Sequence, residues 1–179
     1  SMWNDTPLAV ISANSRSMAD FFRQNFSQVT NPPIDSLRES RVMSLKTRFG
    51  NHGNILDSHE QQKGVMVLDS PLITSTEWAA LKDHFGSAAA EIDCTFDYAK
   101  GADGLRAAIT RIRAEAEAAV RSGKTQLFLT DEHQSQDRCA VTMILAAAGV
   151  HTHLVRKGLR TFASINVRSA ECLDTHYVA

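Results

Sequence analysis

The sequence has little that would announce a chemistry. Its three cysteines, Cys94, Cys139 and Cys172, are odd in number, far apart and form no CxxC pair. They indicate neither a disulfide framework nor a thiolate metal site or dithiol couple, and a reduced cytoplasmic compartment is the simplest setting. Neither sign of charge prevails: 19 basic and 20 acidic residues give a net charge of −1, which leaves no electrostatic footprint for nucleic acid or an anionic membrane. No apolar run approaches about 18 residues, and the start has no charged-then-apolar leader, so neither a membrane span nor a signal peptide is expected. The phosphate-loop, dinucleotide and hydrolase-elbow signatures (G-x-x-x-x-G-K-[ST], G-x-G-x-x-G, G-x-S-x-G) are missing as well. Prolines number four, and two of them, Pro32 and Pro33, stand side by side.

What is there reads as an ordinary globular chain, with 43% hydrophobic and 22% charged residues. A length of 179 residues fits one domain with a single good core. Ser1 and Met2 read as a tag remnant, leaving residues 3–179 as that domain.

The proline pair organises the first quarter. A helix-like run over residues 17–27 (Met18, Phe21, Phe22, Phe26) is halted by Thr30-Asn31-Pro32-Pro33, because proline removes a backbone donor and pushes its predecessor out of the helical region. Ser36 and Glu39 then stand at capping-box spacing, with Asp35 as a competing cap, so a second helix is expected from about residue 36 to 46. Between the helices lies a rigid elbow with one hydroxyl, one amide and donor-free prolines. Such a wall is suited to guiding a small neutral polar molecule by weak contacts.

The rest alternates. Residues 8–13 (Leu-Ala-Val-Ile-Ser-Ala) read as a buried strand. Residues 48–63 read as a loop and 65–68 as a strand. A helix capped by Ser75 or Thr76 ends at Gly86, and residues 90–96 have strand periodicity with one apolar face, as at a sheet edge. Leu105, Ala108, Ile109, Ile112, Ala116, Ala119 and Val120 repeat at helical spacing over 104–122, with Arg111–Glu115 and Arg113–Glu117 as surface pairs and Gly123 as the stop. Residues 125–130 are a strand, 139–157 a helix packed on both sides and closed by Gly158, and 161–167 a last strand, with a strand-like end at Tyr177-Val178-Ala179 that looks cut. This order predicts an α/β fold, a mainly parallel central sheet of about five strands with helices on both faces.

Asp131-Glu132-His133 follows a strand's carboxyl end, where ligands bind in open α/β sheets, though a solvated loop has the same ingredients. His151 and His153 suggest a metal only superficially, since two residues on a helix turn the rings about 200° apart; one packed and one exposed histidine is the expectation. Arg156, Lys157 and Arg160 complement a helix dipole. Cys139, at an expected helix start, lacks a matching base and reads as a buried small residue.

The word Gln28-Val29-Thr30-Asn31-Pro32-Pro33-Ile34-Asp35, followed by Leu37-Arg38-Glu39 and Val42-Met43-Ser44-Leu45, closely resembles the central domain of the large subunit of bacterial, NADPH-type glutamate synthase. The likeness continues through Phe22-Arg23-Gln24, Asn54-Ile55-Leu56, Ser70-Pro71-Leu72-Ile73, Thr95-Phe96-Asp97, Gly104-Leu105, residues 148–161 and Glu171-Cys172-Leu173-Asp174-Thr175-His176-Tyr177, covering the chain from Pro7 onward. Thr152, and the neighbourhood of Ala170-Glu171, depart from some members as subfamily variation.

The resemblance implies a domain linking a glutaminase domain to an FMN-binding synthase domain of the same chain. It places Thr30 and Asn31 on the wall of an ammonia tunnel, with Gln28, Pro32, Pro33, Asp35, Arg38 and Glu39 supporting the elbow. The full enzyme it implies converts glutamine, 2-oxoglutarate and NADPH to two glutamates, with FMN and an iron–sulfur cluster in the large subunit and FAD and NADPH brought by a small subunit. Residue 1 is Ser rather than the family's terminal nucleophilic cysteine, and the flavin barrel and cluster cysteines are missing, so this chain alone is expected to be inactive, to bind no cofactor or metal, and to touch neither nucleic acid nor membrane. Two other readings compete: a freestanding small α/β enzyme using residues 131–133, and a protein-binding adaptor.

Overall fold

The computed structural model describes residues 43–54, 56–57 and 65–178, together with Met18 and Leu37. The strand expected over 8–13, the helix over 17–27 apart from Met18, and the elbow with all its named residues lie outside the described residues. Leu37 is helical, in keeping with a helix beginning near Ser36.

The strand that orders everything else is β5 (Gln126–Thr130), buried at every position. Its sequence is apolar on both faces, which is what a strand covered by two layers requires. It pairs in parallel with β3 (Ala89–Asp93) on one side and β7 (Ser164–Arg168) on the other, so among the described residues β3 lies at a sheet edge, in keeping with its one-sided pattern. Helix α2 (Gly101–Arg121) connects β3 to β5, and α3 (Met143–Arg156) connects β5 to β7. Two crossovers of the same hand moving in the same direction leave both helices on one face.

Alternation along β5 distributes the core. Leu127 and Leu129 join Ile92, Ala108, Ile112, Ala116, Met143, Ala146, Val150 and Leu154 in the main cluster under α2 and α3. Phe128 points the other way, into a second cluster with Phe49, Trp78 and Leu81. The Trp78 ring meets Phe128 edge-on, centroids 4.8 Å apart, a geometry favoured by the ring quadrupoles. This second layer is α1 (Ser75–Phe85) with the antiparallel pair β1 (Thr47–Gly50) and β2 (Val65–Leu68). Helices therefore cover both faces of a parallel sheet, which has three strands among the described residues; β1–β2 and the pair β4 (Thr95–Asp97) with β6 (Arg138–Ala140) form separate two-stranded sheets.

Several sequence expectations need correction. Residues 43–46 are not helical: the Ser44 hydroxyl accepts the Lys46 N–H at 3.1 Å, a local alternative to the helical bond. The expected loop over 48–63 begins instead with β1, which its single large apolar residue, Phe49, hardly advertises. The cap of α1 is Thr74, in a reciprocal box with Glu77, and not Ser75 or Thr76. The strand over 90–96 breaks at Cys94, whose N–H bonds to Thr130 at 2.8 Å while its carbonyl accepts Val141 N–H at 2.7 Å, handing the chain from β5 to β6. Helix α2 begins at Gly101 rather than 104.

The expected pair Arg113–Glu117 is replaced by Glu117 bonding to Arg121 and to His153 of α3 at 2.6 Å. Cys139 lies in β6, and the helix after it starts only at Met143. That helix buries one face, leaving Leu145 and Val155 exposed, because its other face has no layer beyond it among the described residues. The last strand starts at Ser164 after a short 3₁₀ turn at Arg160–Phe162. Tyr177 and Val178, expected in a strand-like end, belong instead to a short helix, α4 (Thr175–Val178).

Candidate functional site

All three parallel strands end on the same side, so Asp93, Thr130–Asp131 and Arg168–Ser169 meet at the carboxyl edge where a site is expected. At the first of these ends, Asp93 Oδ1 accepts the backbone N–H and the hydroxyl of Thr95, at 2.9 and 2.7 Å. Arg138, reaching across from β6, donates through Nη2 to Asp93 Oδ2 at 2.6 Å and through Nε to the Thr95 hydroxyl at 2.9 Å. Arg111 of α2 donates to the carbonyls of Asp93 and Thr95, both at 2.9 Å. Burial pushes the Asp93 carboxyl up, but the Thr95 bonds and the Arg138 charge outweigh it and hold the group below the usual carboxylate range. The result is a closed polar knot around Thr95, itself buried.

The loop expected to carry an acid–base group lies at the second end, and its three side chains go to three different partners. Asp131 is buried, and its Oδ2 accepts the Ser169 hydroxyl at 2.7 Å and the Ala170 N–H at 3.2 Å. Glu132 pairs with Arg168 at 2.9 Å. His133 Nε2 lies 3.6 Å from Glu91, whose carboxylate also binds Lys82; the Lys82 bond is the main reason that carboxyl is held low. Each of the three pins a different neighbour, so the loop presents no acid–base pair.

The third end closes over α3. Thr142, at the cap position of α3, makes no side-chain cap bond, and the helix has no acidic residue in its first turn. Glu171 supplies both from a distance: its Oε2 accepts the Met143 N–H at 2.8 Å and the Tyr177 hydroxyl at 2.5 Å. Burial raises the Tyr177 phenol, and the Glu171 bond raises it further, keeping it neutral. Sequence reasoning missed Glu171; the signal for it was the unserved start of α3.

The remaining candidates are equally committed. His151 is exposed and its Nδ1 accepts from Arg160 at 3.0 Å, while the half-buried His153 bonds Glu117, one packed and one exposed as expected. Lys157 adds a 3.7 Å contact to the same Glu117. Cys94 is buried in the sheet, and desolvation pushes its thiol up to about 12. Cys172 is exposed, and its thiol too is raised, by partial burial and then by the Asp131 and Glu171 charges. Among the described residues no three His, Cys, Asp or Glu side chains converge as a metal site would need, and no helix is long and apolar enough to cross a membrane. Thr30, Asn31 and their supports Gln28, Pro32, Pro33, Asp35, Arg38 and Glu39 lie outside the described residues.

Comparison with known proteins gives a match over residues 1–179 to the family model described as the glutamate synthase central domain. The chain is 58% identical, over all of its length, to the NADPH glutamate synthase large chain of Azospirillum brasilense, of which it spans 12%. It is 39% identical to the chloroplastic ferredoxin-dependent glutamate synthase of Spinacia oleracea, matching 99% of this chain and 11% of that protein. Against the NADH glutamate synthase of Saccharomyces cerevisiae it is 37% identical, again over 99% of its length and 8% of that protein.

Proposed function

This chain belongs to the glutamate synthase central domain family, and we propose that it serves as the scaffold between the glutaminase and FMN-binding synthase domains of a glutamate synthase large subunit, lending one wall to the ammonia tunnel. The observation that supports this is the match to a large chain over every residue here but only 12% of that protein, so the relative has length for further domains on which such a scaffold would act. The complete enzyme would take ammonia from glutamine, add it to 2-oxoglutarate and reduce the imine to a second glutamate with electrons from NADPH, delivered through the FAD of a small subunit in the cytoplasm.

FMN and the iron–sulfur cluster belong elsewhere in that subunit. An iron–sulfur cluster needs several converging thiolates, whereas Cys94 is buried in the sheet, Cys139 half-buried in β6 and Cys172 exposed. No step of the reaction is assigned to side chains of the carboxyl edge, because those groups are occupied with one another.

The tunnel wall is tested in the intact enzyme. With Thr30→Trp or Asn31→Trp, glutamine hydrolysis should continue while glutamate formation falls, so that the ratio of glutamate made to glutamine consumed drops. Equal loss of both activities in a normally stable enzyme would refute the tunnel role.

A further inference from the structure

After β7 the chain runs through residues 169–178, and this segment is tied down near its two ends. At the first, Asp131 Oδ2 accepts the Ser169 hydroxyl at 2.7 Å and the Ala170 N–H at 3.2 Å. At the second, Tyr177 is buried. Between them Cys172, Leu173, Asp174, Thr175 and His176 are all exposed, Leu173 at 87%. A segment with so little buried between its anchors belongs to the low-stability end of a fold, where local opening costs less than global unfolding.

Glu171 carries that opening elsewhere. A single oxygen, its Oε2, accepts both the Met143 N–H at 2.8 Å and the Tyr177 hydroxyl at 2.5 Å, so the segment is joined at one point to its own far anchor and to the start of α3. The helix has no local substitute. Thr142 makes no side-chain cap bond and the first turn holds no acidic residue, which leaves the Glu171 carboxylate as both the acceptor and the negative charge that a helix start favours. When Tyr177 leaves, Glu171 loses the bond that fixes its side chain. When Glu171 leaves, an N–H of the first turn loses its acceptor. The later turns of α3 are held separately, by Ala146, Val150 and Leu154 in the main core.

We propose that residues 169–178 are a strap that opens as one unit with the first turn of α3, through the shared Glu171 carboxylate, while the rest of the helix stays formed. A displacement of this segment is thereby felt at the carboxyl edge of the sheet. The device stands whether or not the domain lines a tunnel.

The test is native-state amide exchange by NMR on the 179-residue chain in low urea. The amides of Met143, Ala170 and Tyr177, each bonded to a carboxylate of Glu171, Asp131 or Asp174, should exchange through one opening with one urea dependence. They should do so at least about tenfold faster than Val150 and Leu154 in the body of α3. Tyr177→Phe removes only the hydroxyl, and should speed exchange at Met143 roughly three- to tenfold, as the loss of one hydrogen bond implies, while leaving Val150 and Leu154 unchanged. Exchange of Met143 in step with Val150 and Leu154, and not with Tyr177, in the unaltered chain would overturn the proposal even if the variant fails to fold. A folded Tyr177→Phe protein in which Met143 exchanges as before, or in which all of α3 speeds equally, would also overturn it.

Discussion

Arg138 holds the turn from β3 into β4 from across the sheet edge, and replacing it with methionine isolates the contribution of its guanidinium while keeping most of its stem. The change removes the 2.6 Å bond to Asp93 and the bonds to the Thr95 hydroxyl. A bond to a charged group contributes about 1.5–3 kcal/mol, but the Arg138 side chain is 42% exposed and Asp93 30%, so solvent screening reduces the expected loss to about 1–2 kcal/mol. For a chain of this size that is a drop in Tm of about 2–8 °C. Thermal unfolding of Arg138→Met, Asp93→Asn and the double variant should give a coupling of about 1 kcal/mol between the two sites. The sign with pH follows from Asp93: its carboxyl is held low in the folded state, so its contribution is present above the unfolded value of about 3.9 and is lost as pH falls through the folded one. The difference between parent and Arg138→Met should accordingly be full at pH 7 and shrink in acid. A Tm unchanged within about 1 °C, or strict additivity in the cycle, would refute the reasoning.

Gly104 tests packing against propensity. An alanine Cβ there would lie 2.6 Å from Lys100 Cβ and 3.2 Å from both the Asp97 carbonyl and the Phe96 ring. Overpacking costs about 1–3 kcal/mol, more than the roughly 1 kcal/mol that helix propensity returns, so Gly104→Ala should lower the urea midpoint; a rise would show that α2 can shift away from β4 freely. Removing the remote cap by Glu171→Ala should cost about 1 kcal/mol, and Glu171→Gln less, since one acceptor oxygen survives. In both variants the Tyr177 phenol should ionise at lower pH, seen as phenolate absorbance in an alkaline titration. The folded Tyr177 is raised, so its contribution to stability is present below an ordinary tyrosine value of about 10 and lost as pH rises through the folded one; an unchanged phenol titration in Glu171→Gln would remove Glu171 from that role.

The elements that could be read from the sequence are those whose evidence is local. The heptad-like apolar stripe of α2 and the stops at Gly86 and Gly123 depend on residues a few positions apart, as does the two-faced apolar run of β5, and all lie where expected. Elements defined by distant partners could not be read so. Strand β1 exists because Phe49 is packed beside Trp78 and Leu81 and because Gly50 N–H finds the Ser164 hydroxyl at 2.8 Å. The three-residue strands β4 and β6 are too short for any periodicity to appear. The true cap of α1 was within reach, since Thr74 and Glu77 stand at box spacing. For the candidate site, the place of residues 131–133 after a strand could be read, but Ser169, which occupies Asp131, lies 38 positions further on.

The direction in which the ionisable groups have been moved distinguishes a support from a catalyst. General acid–base chemistry needs groups brought toward neutral pH, where both protonation states are accessible. Here the carboxyl groups of Asp93 and Glu91 are moved down, while the Cys94 thiol and the Tyr177 phenol are moved up. Each shift deepens the resting state, ionised for the acids and neutral for the thiol and phenol, and each has a structural partner as one of its causes or a buried sheet around it. Proton exchange at these groups would cost the fold its own bonds: Thr95 and Arg138 on Asp93, Lys82 on Glu91, and Glu171 on the Tyr177 phenol. A carboxyl edge built this way trades reactivity for fixed distances between strand ends, loops and the start of α3. In the scaffold role proposed above, fixed distances are what such a domain would provide, because an intermediate handed between two sites is kept from water only as long as the walls between them keep their spacing.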